Sequence, residues 1–254
     1  MDPITRYDKL IFTDFRKELF GNFYNVGFWN EQTTNQEQAS RQLVEHVIAS
    51  VKSTPQQILD VGCGLGAIAN VLKQTWPSAD VTGINISQHQ IDYATKTFPD
   101  CTFQCMDATR LAFESNSFDL IVSIEAANHF NTRLDFLKEA YRVLKPNSKL
   151  CMSDLCLRNE TRFDNLYIFD VAEFNYIESI PAYEEMLREI GFNDVVVSDM
   201  NAQTWQTWVK RTVEYAEKAF RDNAIAEEVY AGWVKNQDYL YESAEYYLYV
   251  SATK

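Results

Sequence analysis

The residues with chemical potential fall in two short stretches. In Ile58-Leu59-Asp60-Val61-Gly62-Cys63-Gly64-Leu65-Gly66 an apolar run ends in an acid and a glycine-rich turn, and Ala67-Ile68-Ala69-Asn70-Val71-Leu72 then starts a helix. Glycines let the backbone bend sharply and approach a ligand closely, and the next helix offers free N–H groups at its start. This predicts a nucleotide-type cofactor at the carboxyl end of a strand. The second stretch, Glu125-Ala126-Ala127-Asn128-His129-Phe130, follows another apolar run, so it reaches the same sheet edge. An imidazole there suits general-base work. The chain has three histidines, and His46 and His89 sit on predicted helices as surface or packing residues. Asp154, at the end of the next strand, is placed to orient the His129 ring or take a proton itself. Structural roles stay open for all three: His129 as a helix cap, Asp154 as a buried hydrogen-bonding acid, Glu125 as a brace for its loop.

These residues need strands and helices to place them. Asn35 with Gln38 opens a helix whose apolar residues Ala39, Leu43, Val44, Val47, Ile48 and Val51 recur at helical spacing. Strands are predicted at 58–61, 80–86, 101–106, 118–124, 149–157, 195–198 and 246–252. Between them lie helices from Ser87 to about Phe98, from Asn131 to Leu144 and over 181–190, the last stopped at Gly191. Steady alternation means a doubly wound α/β sheet. Residues 203–241, rich in aromatics, form one or two helices inserted before the last strand. Residues 1–52 form an N-terminal helical lid, and 1–254 is one domain.

Composition narrows the partners. A formal net charge of −13 disfavours nucleic acid and anionic membrane surfaces. No apolar run reaches the length of a membrane span, and Met1–Asp8 lacks the basic and apolar regions of a signal peptide. Five cysteines, an odd number, fit reduced thiols and a cytoplasmic location, with Cys101 and Cys105 as small fillers. No Cys/His spacing suggests a metal.

Gly62, Gly64 and Ala67 formally satisfy the dinucleotide fingerprint, which makes a dehydrogenase one reading. Against it, the Asp60 carboxylate would repel a pyrophosphate, Asp107 adds a second acid after the third strand, and no second half-sheet follows. Taken together, five segments resemble the class I S-adenosylmethionine-dependent methyltransferases: Ile58–Gly66, Val81–Ser87, Cys105-Met106-Asp107-Ala108, Phe118-Asp119-Leu120-Ile121-Val122 and Ala140-Tyr141-Arg142-Val143-Leu144-Lys145-Pro146. The resemblance covers about residues 40–157 tightly. It implies a seven-stranded sheet of order 3-2-1-4-5-7-6 with the last strand antiparallel.

It also implies the cofactor contacts. Gly62 and Gly64 would pack against the methionine part, Asp60 would anchor the amino-group region, and Asp107 with Ala108 would read the adenine. Ile86 would cover an adenine face. The ribose position departs from the family's acid and is Asn85, with Gln88 as an alternative contact. Phe23-Tyr24-Asn25-Val26-Gly27-Phe28-Trp29 resembles the branch's N-terminal lid, which adds Tyr24 and Trp29 to the cofactor contacts, and Glu125 joins them. Tyr7, Asn128, Trp205 and Trp208 would line the acceptor pocket. The E-x-x-x-H pattern with an acid after the fifth strand resembles the branch acting on sugars, tocopherols, phosphoethanolamine and natural products. The expected reaction is methylation of a hydroxyl oxygen of a small specialised metabolite, with S-adenosylhomocysteine as product, His129 and Asp154 as catalytic pair and no metal. An amine acceptor is the main rival. Carbon methylation and a non-catalytic cofactor-binding protein come behind it.

Overall fold

In the computed structural model, residues 20–158 and 175–254 are described. The elements are α1 (Gln36–Ile48), β1 (Gln57–Val61), α2 (Ala67–Thr75), β2 (Asp80–Asn85), α3 (Gln88–Thr97), β3 (Thr102–Cys105), β4 (Phe118–Ile124), α4 (Arg133–Val143), β5 (Leu144–Leu157), α5 (Ile180–Ile190), β6 (Asn193–Asp199), α6 (Trp205–Arg221), α7 (Glu227–Lys235), α8 (Gln237–Ser243) and β7 (Ala244–Thr253). The seven strands form one sheet of order β3-β2-β1-β4-β5-β7-β6. Strands β1 to β5 pair in parallel, and β7 runs antiparallel between β5 and β6. The predicted topology is the observed one.

Side chains alternate across the sheet, so each central strand feeds two cores. Ile58, Leu120 and Val122 join the core beneath α1, α2 and α6. Leu59, Ile121 and Leu150 join the core beneath α4 and α5. Both faces are covered, which is why β1 and β4 are almost continuously apolar. Asp60 is the exception, fully buried within that run.

Local signals place the helix starts. Asn35 accepts Gln38 N–H at 2.9 Å, and Gln38 reaches back to Thr34 N–H at 3.0 Å. Ser87 accepts Gln90 N–H at 3.2 Å. Helix α4 is capped by Thr132 rather than Asn131, because the Thr132 hydroxyl accepts Asp135 N–H at 3.1 Å. The insertion before β7 holds three helices, α6, α7 and α8, broken where 222–226 and Asn236 leave helical geometry. No helix among the described residues is long and apolar enough to cross a membrane.

Candidate active site

The carboxyl edge of the sheet gathers the candidate groups. After β1 the chain turns through three glycines, all with positive φ. Two of them carry the argument. A Cβ on Gly62 would lie 2.3 Å from the Ala126 Cβ, so this glycine lets the turn pack against the segment after β4. Among the described residues a Cβ on Gly64 would meet only Gln90 Oε1, at an unstrained 3.9 Å, so this side of Gly64 has room for a ligand. Gly62 and Cys63 both donate backbone N–H to Ile84 O at 2.9 Å, which ties the turn to the end of β2.

Beside this turn lies Asp60, with neither carboxylate oxygen hydrogen-bonded. Burial raises its pKa to about 8, against the opposing influence of the Ala69 amide. A buried acid without a partner is costly. A cationic ligand group would supply one. Asn25, also buried, has neither end of its carboxamide satisfied. Sequence reading named its segment but not this residue. Its signal was the amide within an otherwise aromatic and glycine run.

The N-terminal segment passes over this edge. The Tyr93 hydroxyl donates to Asn22 Oδ1 at 2.9 Å on the α3 side. On the β4 side, Val26 N–H donates to Glu125 Oε1 at 2.8 Å. Phe28 N–H donates to Ala39 O at 2.9 Å. Since β1 lies between β2 and β4, the segment spans the carboxyl end of β1. Tyr24 within it has φ 52° and stacks on Phe20 at 5.6 Å. Trp29 is spent on packing: its indole N–H donates to Val26 O at 2.8 Å and its ring lies under Arg211.

Glu125 also adopts a left-handed backbone, φ 52°, a strained conformation for a non-glycine residue. Its own bonds hold it there. The backbone N–H donates to Ser153 O at 3.0 Å, and the side chain accepts from Val26 N–H and from the Tyr247 hydroxyl. Burial raises its pKa to about 7, against the opposing pull of those two donors. Its bracing role is thus visible in its contacts.

On the adenosine side, Asn85 Nδ2 donates to Gln90 Oε1 at 2.8 Å, which leaves Asn85 Oδ1 as an acceptor. Ile86 is 53% exposed, an unusual position for that side chain. Asp107 is exposed, its Oδ1 accepts from both N–H and hydroxyl of Thr109 at 2.8 Å, and Ala108 is buried beside it. Gln88 turns away onto its own helix, bonding Asp92 Oδ1 at 2.7 Å. It is an exposed i,i+4 pair rather than part of this edge.

His129 closes a short 3-10 turn, Ala127–His129, directly after β4. The residue is solvent-exposed. Desolvation by the protein around the ring lowers its pKa, with Asp154 raising it and Arg133 lowering it by charge. The imidazole is therefore neutral at neutral pH. Asn128 Nδ2 lies 3.3 Å from His129 Nε2.

Asp154 has other partners than the expected imidazole. Arg133 Nε donates to Oδ2 at 2.6 Å, Arg133 Nη2 to Oδ1 at 3.1 Å, and the Tyr183 hydroxyl to Oδ2 at 2.9 Å. Both oxygens are engaged inside the protein, where arginine and aspartate are almost fully buried. The reason is steric as well as electrostatic: α4 starts beside β5, and its first residue, Arg133, points inward. An arginine in a helix's first turn opposes the helix dipole. That was the one sequence signal for this pair, and it was missed.

Trp205 and Trp208, expected at the acceptor pocket, are core residues among the described ones. Both are buried, Trp205 donates its indole N–H to Leu240 O at 2.7 Å, and they pack against each other at 5.2 Å. They anchor the insertion to the core because a helix presenting two indoles gains most by burying both. Tyr7 lies outside the described residues.

The unpartnered Asp60 and Asn25, the open side of Gly64 and the Asn85 acceptor fit a ligand with an ammonium, a carboxylate and a ribose. Comparisons with known proteins agree. Residues 59–152 match the family model described as a methyltransferase domain. An O-methyltransferase of Pyrenophora dematioidea is 32% identical over 196 residues, covering 71% of this chain and 72% of that protein. Another O-methyltransferase, from Aspergillus sclerotiorum, is 31% identical over 210 residues and 76% of each chain. In fold, phosphoethanolamine N-methyltransferase 2 of Haemonchus contortus, solved with S-adenosylhomocysteine, superposes with a TM-score of 0.74 at 20% identity, over 100% of this chain and 61% of that one. The chain therefore belongs to the class I S-adenosylmethionine-dependent methyltransferases, an enzyme with S-adenosylmethionine as its cofactor.

Proposed function

We propose that the protein methylates a hydroxyl oxygen of a small organic molecule, with His129 as the base. The observation that carries this reading is an accessible, neutral imidazole at the end of β4, next to the glycine turn. Bound S-adenosylmethionine supplies an electrophilic methyl group on a sulfonium. Asp60 and Asn25 hold the ammonium and carboxylate of its methionine part. Asn85 Oδ1 accepts one ribose hydroxyl. Ile86 covers one face of the adenine, and Asp107 with the Ala108 N–H meets its polar edge. Tyr24 closes over the cofactor. Glu125 secures that closure through Val26.

His129 takes the acceptor hydroxyl's proton on the ring nitrogen that carries the lone pair, with the Asn128 carboxamide beside Nε2. Such a base contributes about 10²–10⁴-fold. Holding the acceptor in line and excluding water contributes the rest. The O-methyltransferase relatives support oxygen as the acceptor atom.

A second reading has its own observation. Among the described residues Glu125 Oε2 has no hydrogen-bond partner although Oε1 has two, and a carboxylate oxygen at this edge suits taking the proton that an ammonium must lose before its nitrogen attacks the methyl. One experiment separates the two. The protein is incubated with labelled S-adenosylmethionine and a panel of phenols, sugar alcohols and primary amines, and products are identified by mass spectrometry. Methyl ethers are expected. Label found only on nitrogen would replace the oxygen reading with the amine one.

A further inference from the structure

Both carbonyls that flank His129 are held by one distant side chain. Asn175 Nδ2 donates to Phe130 O at 2.6 Å and approaches Asn128 O at 3.4 Å. The other end of the same carboxamide, Oδ1, accepts Arg133 N–H at 2.8 Å, and the Asn175 carbonyl accepts from Arg133 Nη1. Arg133 is fixed in turn by both oxygens of Asp154, and Asp154 by the Tyr183 hydroxyl. Asn175, Arg133, Asp154 and Tyr183 are all buried. The turn bearing His129 thus has a rigid mount, reached across more than 40 residues of sequence.

We infer that Asn175 is a positioning residue for His129. A short 3-10 turn has few internal hydrogen bonds, so external donors must fix its carbonyls. By bridging the carbonyls on either side of the histidine and the first amide of α4, the carboxamide sets the direction in which the imidazole leaves the backbone. Asp154 therefore serves His129 through Arg133 and Asn175 rather than by touching the ring. A displacement of about 1 Å at a reacting group costs on the order of 10²-fold in rate, so loss of this grip would be read in turnover.

The inference rests on His129 as the base, and the test keeps the two apart. Asn175→Asp keeps shape and the acceptor for Arg133 N–H but removes the donor to the two carbonyls. Wild type, Asn175→Asp and His129→Ala are compared as full-length protein. Three measurements are made: calorimetric binding of S-adenosylhomocysteine, kcat and KM with the best acceptor of the panel, and imidazole NMR of the cofactor-product complex. Asn175→Asp is expected to bind S-adenosylhomocysteine as wild type does and to keep KM for S-adenosylmethionine. Its kcat should fall by about 10- to 100-fold, and its His129 resonances should shift or split while those of His46 and His89 stay. Unchanged His129 resonances with unchanged kcat overturn the inference. Full turnover in His129→Ala overturns the base reading instead, and the NMR result still judges the mount. If Asn175→Asp does not fold, Asn175→Ala, which removes the donor without adding a charge, is read by the same criteria.

Discussion

Arg133 and Asp154 meet in a two-point ion pair, Nε–Oδ2 2.6 Å and Nη2–Oδ1 3.1 Å, with both side chains out of solvent. Charge on the carboxylate raises the arginine's pKa further against the cost of its burial. This pair joins the start of α4 to β5, and so joins the candidate base to the sheet. Removing one member leaves the other charged and buried, a loss of about 3–5 kcal/mol. Asp154→Ala should therefore lower stability by that amount in urea denaturation. A variant of native stability with abolished turnover would mean that Asp154 acts on the acceptor directly.

The glycines of the first turn should separate folding from binding. Gly62→Ala forces a methyl to within 2.3 Å of Ala126 and should lower the melting temperature. Gly64→Ala meets no close neighbour and should cost only the backbone term for φ 51°, about 1–2 kcal/mol. Cofactor affinity should nevertheless fall in Gly64→Ala, and more so in Gly64→Val. Calorimetry with S-adenosylhomocysteine checks this, and wild-type affinity in Gly64→Val would remove the turn from the cofactor site.

Asp60 makes both stability and binding depend on pH. Its folded pKa, about 8, lies above the ordinary aspartate value, so between about pH 4 and 8 the folded protein holds a proton that the unfolded chain releases. Stability without cofactor should therefore fall as pH rises through that window. Asp60→Asn should flatten the fall, as denaturation at pH 5 and 8 would record. Binding of the cofactor's ammonium favours the ionised carboxylate, so S-adenosylhomocysteine binding at pH 7 should release a proton. Calorimetry in two buffers of different ionisation enthalpy measures the release. Its persistence in Asp60→Asn would assign it to another group.

His129 should show itself in rate and in pH profile. His129→Ala is expected to lose about 10²–10⁴-fold in kcat with little change in cofactor affinity. Because packing lowers the ring's pKa, the acid limb of wild-type turnover should lie below the ordinary histidine value of about 6.5, with a plateau through neutral pH. An acid limb at or above 7 would point to Glu125, whose pKa is raised to about 7.

Asn85 should contribute one hydrogen bond. Asn85→Ala is expected to weaken S-adenosylmethionine by about 0.5–1.5 kcal/mol, and Asn85→Asp to bind at least as well as wild type. An unchanged dissociation constant in the alanine variant would move the ribose contact to other groups.

What the sequence determined by itself was the frame. Strand and helix periodicity, the helix caps at Asn35 and Ser87 and the glycine turn are settled within a few residues of chain, and the family resemblance carried by those segments adds the sheet order and with it the edge where Asp60, Asn85 and His129 emerge. Partners of side chains at that edge are a different matter. Asp154 looked available to His129 because neighbouring strands bring them to one edge, yet Arg133 and Tyr183, 21 and 29 residues away, take both its oxygens. Trp205 and Trp208 looked like a pocket lining because indoles suit apolar ligands, yet burying them in the protein's own core is what holds α6 down. Asn175 had no signal at all, since its three backbone partners lie 42 to 47 residues earlier. A hydrogen bond or an ion pair forms only where packing brings two distant segments into register, and that is decided by the tertiary structure alone.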